Sequence, residues 1–308
     1  MGDARNLTEN LRADLVHTIA QLLDRYALEH LPTLAPKTMQ SRQISIRKLR
    51  PVFGHMPIGA LRPVHVYRYR DCATKAHGPR ATNLDIATLS HAYTKAVEWG
   101  YVDRNPIKGQ VAKNSRPPRD RYIEDWEIDE ALRVCEEHYT DRRTGRMLAL
   151  YIELKLLTGL RRSDMLQLRF QDVRNDGIHV QPQKTALTTG KKLIIIWDEN
   201  LRAVVNEIRA LRRRVGSIYL FCNRQGQCYY NPEKGTASGF DSIWSRFMVK
   251  LLERSKVTER FHEHDLRAKS ASDDLSVENA AERLAHASTA TTRRHYRRKP
   301  SKVSPLKR

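Results

Sequence analysis

The sequence predicts a mainly α-helical protein with a small β-sheet, organised as two units. Three observations lead there. Apolar residues recur at three- and four-residue spacing over most of the 308-residue chain. Only two short runs, Ile178-His179-Val180 and Leu193-Ile194-Ile195-Ile196-Trp197, read as strands. A basic segment containing Pro117-Pro118 separates the first helical group from the rest.

Residues 15 to 28 put Leu15, Ile19, Leu22, Leu23 and Tyr26 on one helical face, and Pro32 and Pro36 break that helix. Thr38 to Leu49 forms a second helix, with Arg42, Arg47 and Lys48 as its charged positions. Pro63 opens a third that runs through Cys72. Gly78-Pro79 separates it from a fourth, whose face is Leu84, Leu89, Tyr93 and Val97 and whose stop is Gly100. Short connections make these one helical unit over residues 14–107, after a short extension at 1–13.

Residues 108–121 carry Lys108, Lys113, Arg116, Arg119 and Arg121 against Asp120. This basic linker is either a solvated tether or a strap that follows a phosphate backbone. The second unit spans 122–300. Trp126, Ile128, Leu132 and Cys135 indicate a helix, and Leu148 to Leu157 a buried one running into Thr158-Gly159-Leu160-Arg161. The two strands follow, with Thr189-Gly190 as the turn before the second, so Lys184 falls in a hairpin region. Further helices are expected over 200–213, 239–253, 264–274, 278–285 and 289–296, before a basic tail at 301–308.

The formal charge is +20, and 38 Arg outnumber 17 Lys. Such a charge favours polyanionic partners, nucleic acid above all, and arginine's planar fork matches two phosphate oxygens. No apolar run approaches the roughly 18 residues of a membrane span, and Met-Gly-Asp-Ala-Arg-Asn lacks a signal-peptide core, so a cytoplasmic protein without a membrane partner is expected. The four cysteines, Cys72, Cys135, Cys222 and Cys228, form no Cys-x-x-Cys pair. That argues against a zinc finger and for reduced structural thiols. No Gly-x-x-x-x-Gly-Lys loop supports ATP dependence, and no cofactor is expected.

Tyr296 lies inside Thr291-Thr292-Arg293-Arg294-His295-Tyr296-Arg297-Arg298-Lys299, a phenol among cations. Single motifs upstream carry little, since His-x-x-Arg occurs at His65, His77, His264 and His295. The ordered series carries more. Thr-Gly-Leu-Arg161 follows an apolar helix, Lys184 sits by a hairpin, His264-Asp265-Leu266-Arg267 opens a helix, and Leu284-Ala285-His286 precedes Tyr296. DNA strand transfer asks for such groups. A phenol, with a pKa near about 10, is a weak nucleophile at neutral pH. Two guanidiniums can neutralise charge developing on a phosphate, a histidine can accept the phenolic proton, and a lysine can protonate the departing oxygen.

In these motifs the chain resembles the tyrosine recombinases of the phage-integrase family, including prophage and Xer-like members. The likeness extends over nearly the whole chain. Thr38 to Pro106, with its Ala-Val-Glu-Trp-Gly-Tyr-Val-Asp-Arg-Asn-Pro ending, resembles the family's helical, SAM-like core-binding domain. Residues 122–300 resemble its mixed α+β catalytic domain. The resemblance implies a site-specific recombinase that cleaves and rejoins DNA through a covalent 3′-phosphotyrosine, without metal or ATP. It implies Arg161 and Arg267 as the phosphate clamp, Lys184 as the hairpin lysine, His264 and His286 as the two histidines, Tyr296 as nucleophile and Asp164 as support. It also implies a C-shaped clamp on duplex DNA and a homotetramer at synapsis, from a chain that is monomeric when free. Leu-Ala-His replaces the commoner Leu-Gly-His, and ten residues rather than nine separate His286 from Tyr296, which leaves His295 at the nine-residue position. With about a dozen residues before the helical unit, the sequence leads to the expectation of a two-domain or shortened prophage relative without a separate arm-site-binding domain.

Alternatives stay open on the residues alone. Lys191 and Lys192 compete with Lys184, and a packed helix-end histidine is the lesser alternative for His286. Asp164 suits a helix N-terminus. DNA contacts are expected at Lys37, Arg42, Arg80, Asn83 and Lys113, although Arg80-Ala-Thr-Asn83 also reads as a plain capping segment. Two other classes compete: a catalytically inactive prophage remnant that only binds DNA, and an enzyme of type IB topoisomerase kind.

Overall fold

The computed structural model describes residues 16–115, 117, 119–139, 141–183, 190–211, 216–300 and 304–306. The expected extension at 1–13, Lys184 and Thr189 lie outside them, as does most of the tail at 301–308. The chain divides into two compact units between residues 117 and 118, with Glu233–Gly235 grouped with the first.

The first unit is helical. Helix α1 (Ile19–Arg25) starts at Thr18, whose hydroxyl accepts from the Gln21 N–H while the Gln21 carbonyl returns to the Thr18 N–H at 3.0 Å. A wide turn, Tyr26–His30, extends it. Helix α2 (Pro36–Phe53) buries Ile46, Leu49 and Phe53. Helix α3 runs from Pro63 to Glu98, broken at Gly78, where φ 78° and ψ 162° leave helical space. The expected third and fourth helices are therefore real and joined at a kink. Leu84 and Val97, assigned to the buried face, are 40% and 36% exposed. The buried stripe is Ile86, Leu89, Ala92, Tyr93 and Ala96. Leu84 precedes Leu89 by five residues, which on a helix turns it well away from that stripe. Gly100, at φ 77°, ends the helix as expected.

The second unit places α5 (Arg142–Thr158) at its centre, packed against α4 (Asp125–Glu137), α7 (Glu199–Ala210) and α9 (Glu263–Asp273). Met147 to Ile152 and Leu154 are buried, so the apolar run reads directly as core. Tyr151, Phe240, Trp244, Phe247 and Phe261 form an aromatic cluster around it, with α8 (Ser238–Arg254) supplying three of them. Helix α6 (Arg162–Leu166) follows α5 directly. Strands β1 (Gly177–Val180) and β2 (Leu193–Ile196) pair antiparallel, Gly177 opposite Ile196 and Val180 opposite Leu193. The short helices α10 (Val277–Arg283) and α11 (Thr289–His295) complete the unit.

The linker is not a free strap at its second-unit end. Arg119 pairs with Asp265, and Arg121, largely buried, pairs with Glu127 and Glu259. At its first-unit end, Asn114 is bracketed by the Asn83 amide, which accepts from its N–H at 2.8 Å and donates to its carbonyl at 2.9 Å.

Candidate active site

Four local structures bring the predicted site residues together. The first is the end of α5. Gly159 takes a left-handed conformation, φ 61°, that stops the helix and turns its carbonyl toward Arg267, whose Nη1 donates to it. A side chain at Gly159 would meet Leu284 Cδ2 at 2.7 Å. Arg161 follows as the residue before α6, with Nη1 4.0 Å from Asp164 Oδ2. Buried Asp164 accepts the Gln183 N–H at 3.1 Å, which fixes the chain where it leaves β1. Burial pushes its pKa up, against the Gln183 N–H and the charges of Arg161 and Arg267.

The second is α9. His264 and Arg267, three apart, share one face. Arg267 is only 1% exposed. Its Nη2 donates to the Leu284 carbonyl at 2.7 Å and lies 3.3 Å from His286 Nε2. Burial, and then Arg161, push its pKa down to about 10, while Tyr296 and Asp164 counter them. Beneath His264 lies an ion pair no motif announced. Fully buried Lys155 meets Glu263, and Tyr151 Oη donates to Glu263 Oε1 at 2.6 Å.

The third is the turn after α10. Ala285 sits at φ 50°, the only non-glycine with positive φ among the described residues. That turn presents the Leu284 carbonyl to Arg267 and sets His286 beside it. His286 Nδ1 lies 2.8 Å from Thr292 Oγ1. Burial first, then Arg267 and Arg161, push the His286 pKa down to about 4.

The fourth is the end of α11. Tyr296 Oη lies 3.2 Å from His264 Nε2, and the Arg267 guanidinium carbon is 5.4 Å from the phenol ring centre. The His286 ring is 4.7 Å from it. Crowding by protein atoms, and then the Lys155 charge, push the His264 pKa down to about 4. His264 keeps an exposed face that tempers this shift, so the direction carries the argument: the imidazole is neutral at neutral pH. The segment is pinned at Tyr296 and just after it. Ser272 Oγ donates to the Tyr296 carbonyl at 2.8 Å and accepts the Arg298 N–H at 2.8 Å. Arg298 Nη1 donates to Asp265 Oδ1 at 2.6 Å. His295 is exposed. The phenol of Tyr296, ten residues after His286, is the group that meets His264.

Arg161, Asp164, His264, Arg267, His286 and Tyr296 thus converge. Lys184 lies outside the described residues, and its rivals flank the same gap, Lys191 half-buried and Lys192 exposed. Of the expected DNA contacts, Lys37, Arg80 and Lys113 are exposed. Arg42 instead donates to Tyr26 Oη, and Asn83 instead holds Asn114, so both side chains have structural partners. Sequence reasoning missed the supporting set of Gly159, Asp265, Ser272, Thr292, Lys155 and Glu263. Asp265 and Gly159 stood inside quoted motifs, but their partners are distant in sequence.

In the second unit the ends of α5 and α11, helix α9 and the turn after α10 bring two arginines, two histidines and a tyrosine together. The chain belongs to the phage integrase family, whose profile matches residues 121–302; the profile of the phage integrase N-terminal SAM-like domain matches residues 18–71. The integrase of Enterobacteria phage 434 is 22% identical over 182 residues, which span 59% of this chain and 49% of that protein. The integrase of Escherichia phage HK022 is 22% identical over 197 residues, 62% of this chain and 50% of that one. The chain therefore spans about half the length of these relatives. Among solved structures, a lambda integrase tetramer bound to a Holliday junction superposes with a TM-score of 0.73 at 20% identity, covering 97% of this chain and 83% of that one. The Tn1549 transposon integrase in complex with a circular intermediate DNA gives 0.72 at 16% identity, covering 90% and 94%.

Proposed function

We propose that the chain is a site-specific DNA recombinase that works through a covalent 3′-phosphotyrosyl intermediate. The observation that carries this is the 3.2 Å approach of Tyr296 Oη to His264 Nε2 above a buried guanidinium. His264, neutral at working pH, takes the phenolic proton as the phenol oxygen attacks phosphorus. The bond from Tyr296 Oη to phosphorus forms and the bond to the 5′-oxygen breaks. Arg161 and Arg267 neutralise the non-bridging oxygens as charge builds. A protonated lysine supplies the departing 5′-oxygen with its proton, and Lys184 is our candidate. Reversal by a different 5′-hydroxyl rejoins strands in a new pairing. The phosphotyrosine keeps the bond energy, so this chemistry asks for neither ATP nor a metal.

Duplex DNA is the proposed substrate. A tetramer at synapsis, assembled from free monomers, is the proposed working state, as the lambda integrase tetramer on a Holliday junction suggests for a chain of the same fold. A cytoplasmic location follows from such a substrate, and no helix of the described residues is long and apolar enough to cross a membrane. The test is partner exchange. A plasmid carrying two copies of the chain's own recombination site should give two circles under this reading. Relaxation of any supercoiled plasmid without exchange would favour a topoisomerase, and binding without cleavage an inactive remnant.

A further inference from the structure

We infer that Thr292 is a positioning residue of this site: its hydroxyl accepts the Nδ1 proton of the His286 tautomer that Arg267 selects, while its carbonyl holds the turn that carries Tyr296. The inference rests on the recombinase reading for its consequence and on side-chain chemistry for its geometry. A guanidinium has donors and no acceptor. Arg267 Nη2 lies 3.3 Å from His286 Nε2, so that nitrogen accepts and carries no proton. The remaining proton of a neutral imidazole then sits on Nδ1. Nδ1 is 2.8 Å from Thr292 Oγ1, which must accept it. Thr292 is 0% exposed, so no bulk water competes for that hydroxyl. Its backbone acts on the nucleophile: the Thr292 carbonyl accepts the N–H of Tyr296 at 2.9 Å and that of Arg297 at 3.0 Å.

One residue therefore ties the imidazole to the phenol whose tilted ring packs against it. The alternative tautomer would set an Nε2–H against the guanidinium donors, which repels Arg267 from the position its two carbonyl bonds hold. Losing the hydroxyl also leaves Nδ1–H with no acceptor. This gives the ten-residue spacing between His286 and Tyr296 a physical reading. Thr292 lies between them in sequence and bonds to both.

The test uses the full-length protein labelled with ¹⁵N-histidine, without DNA. At neutral pH, His286 should show a protonated Nδ1 and an unprotonated Nε2. Thr292→Val, which removes the hydroxyl at nearly constant shape, should leave the His286 Nδ1–H without an acceptor, seen as a shifted and faster-exchanging Nδ1–H signal; Thr292→Ser should keep the wild-type pattern. On a nicked duplex carrying the site, Thr292→Val should cleave roughly 10- to 100-fold more slowly, the scale of losing an orienting partner, with serine restoring the rate and binding unchanged. A wild-type His286 protonated on Nε2 overturns the inference, even if the valine variant does not fold. So does a valine variant with the wild-type Nδ1–H signal and rate. Failure of cleavage by wild-type protein would sink the recombinase reading and leave the spectrum to decide the role of Thr292.

Discussion

Ala285 occupies backbone space that glycine prefers, at φ 50°. An L-residue there is strained by about 1–2 kcal/mol. Ala285→Gly should therefore raise the urea midpoint, by about 1 kcal/mol of stability after glycine's own entropy loss, and retain cleavage. A lower midpoint would show that the alanine methyl packs better than the backbone suffers. The sequence displayed this departure from Leu-Gly-His, but only the backbone angle gives it an energy. His264 makes a pH prediction. An imidazole held near 4, below its ordinary 6.5, stays neutral and able to accept a proton as pH falls through 6.5. Cleavage by the wild-type chain should hold its rate as pH falls from 7 through 6.5 and decline only below that. Stability follows the same sign: it is full above 6.5 and lost as pH falls toward 4, because the unfolded imidazole takes the proton first. A rate that halves near pH 6.5 would contradict a depressed His264.

Helix α9 carries two site residues and also anchors the segment that follows α11. Ser272 makes that anchor by bonding to the Tyr296 carbonyl and the Arg298 N–H. Ser272→Ala should speed amide exchange at Arg298 and slow cleavage, with DNA binding unchanged; unaltered exchange there would mean that the Arg298–Asp265 pair and the bond from Arg297 to the Asp274 carbonyl suffice. The helices themselves were legible because burial follows a 3.6-residue period in both units. The joint at Gly78 was legible because glycine and proline punctuate helices. The packed face of the fourth helix was half read: Leu89 and Tyr93 are buried in it, while Leu84 and Val97 are apolar yet exposed. Apolar character alone does not fix a face when the stripe is completed by alanines.

The whole molecule joins groups from Arg161 to Tyr296, and the identity of those groups was legible from their order. What holds them was not. Arg267 bonds to the carbonyls of Gly159 and Leu284, and the Tyr296 segment hangs on Ser272 and Thr292. Backbone carbonyls carry no sequence signature, and partners over a hundred residues apart meet only through the fold. The charge of +20 sets a further expectation. If both units bind the same duplex, each neutralised phosphate contributes about −0.9 to the slope of log affinity against log salt, so roughly eight contacts give about −7. Residues 119–308 alone should bind more weakly and with a shallower slope, since the other unit no longer acts at high effective concentration. Equal affinity and slope would assign the first unit to protein partners.

The central claim is that Tyr296 becomes joined to DNA. A nicked duplex carrying the recombination site, which loses its cleaved end by diffusion, should trap a covalent complex with the wild-type chain. Peptide mapping should place the nucleotide on Tyr296. Tyr296→Phe should bind the same duplex with wild-type affinity and give no adduct. A covalent complex that survives in Tyr296→Phe, or a nucleotide mapped to His295 or another residue, would contradict the account.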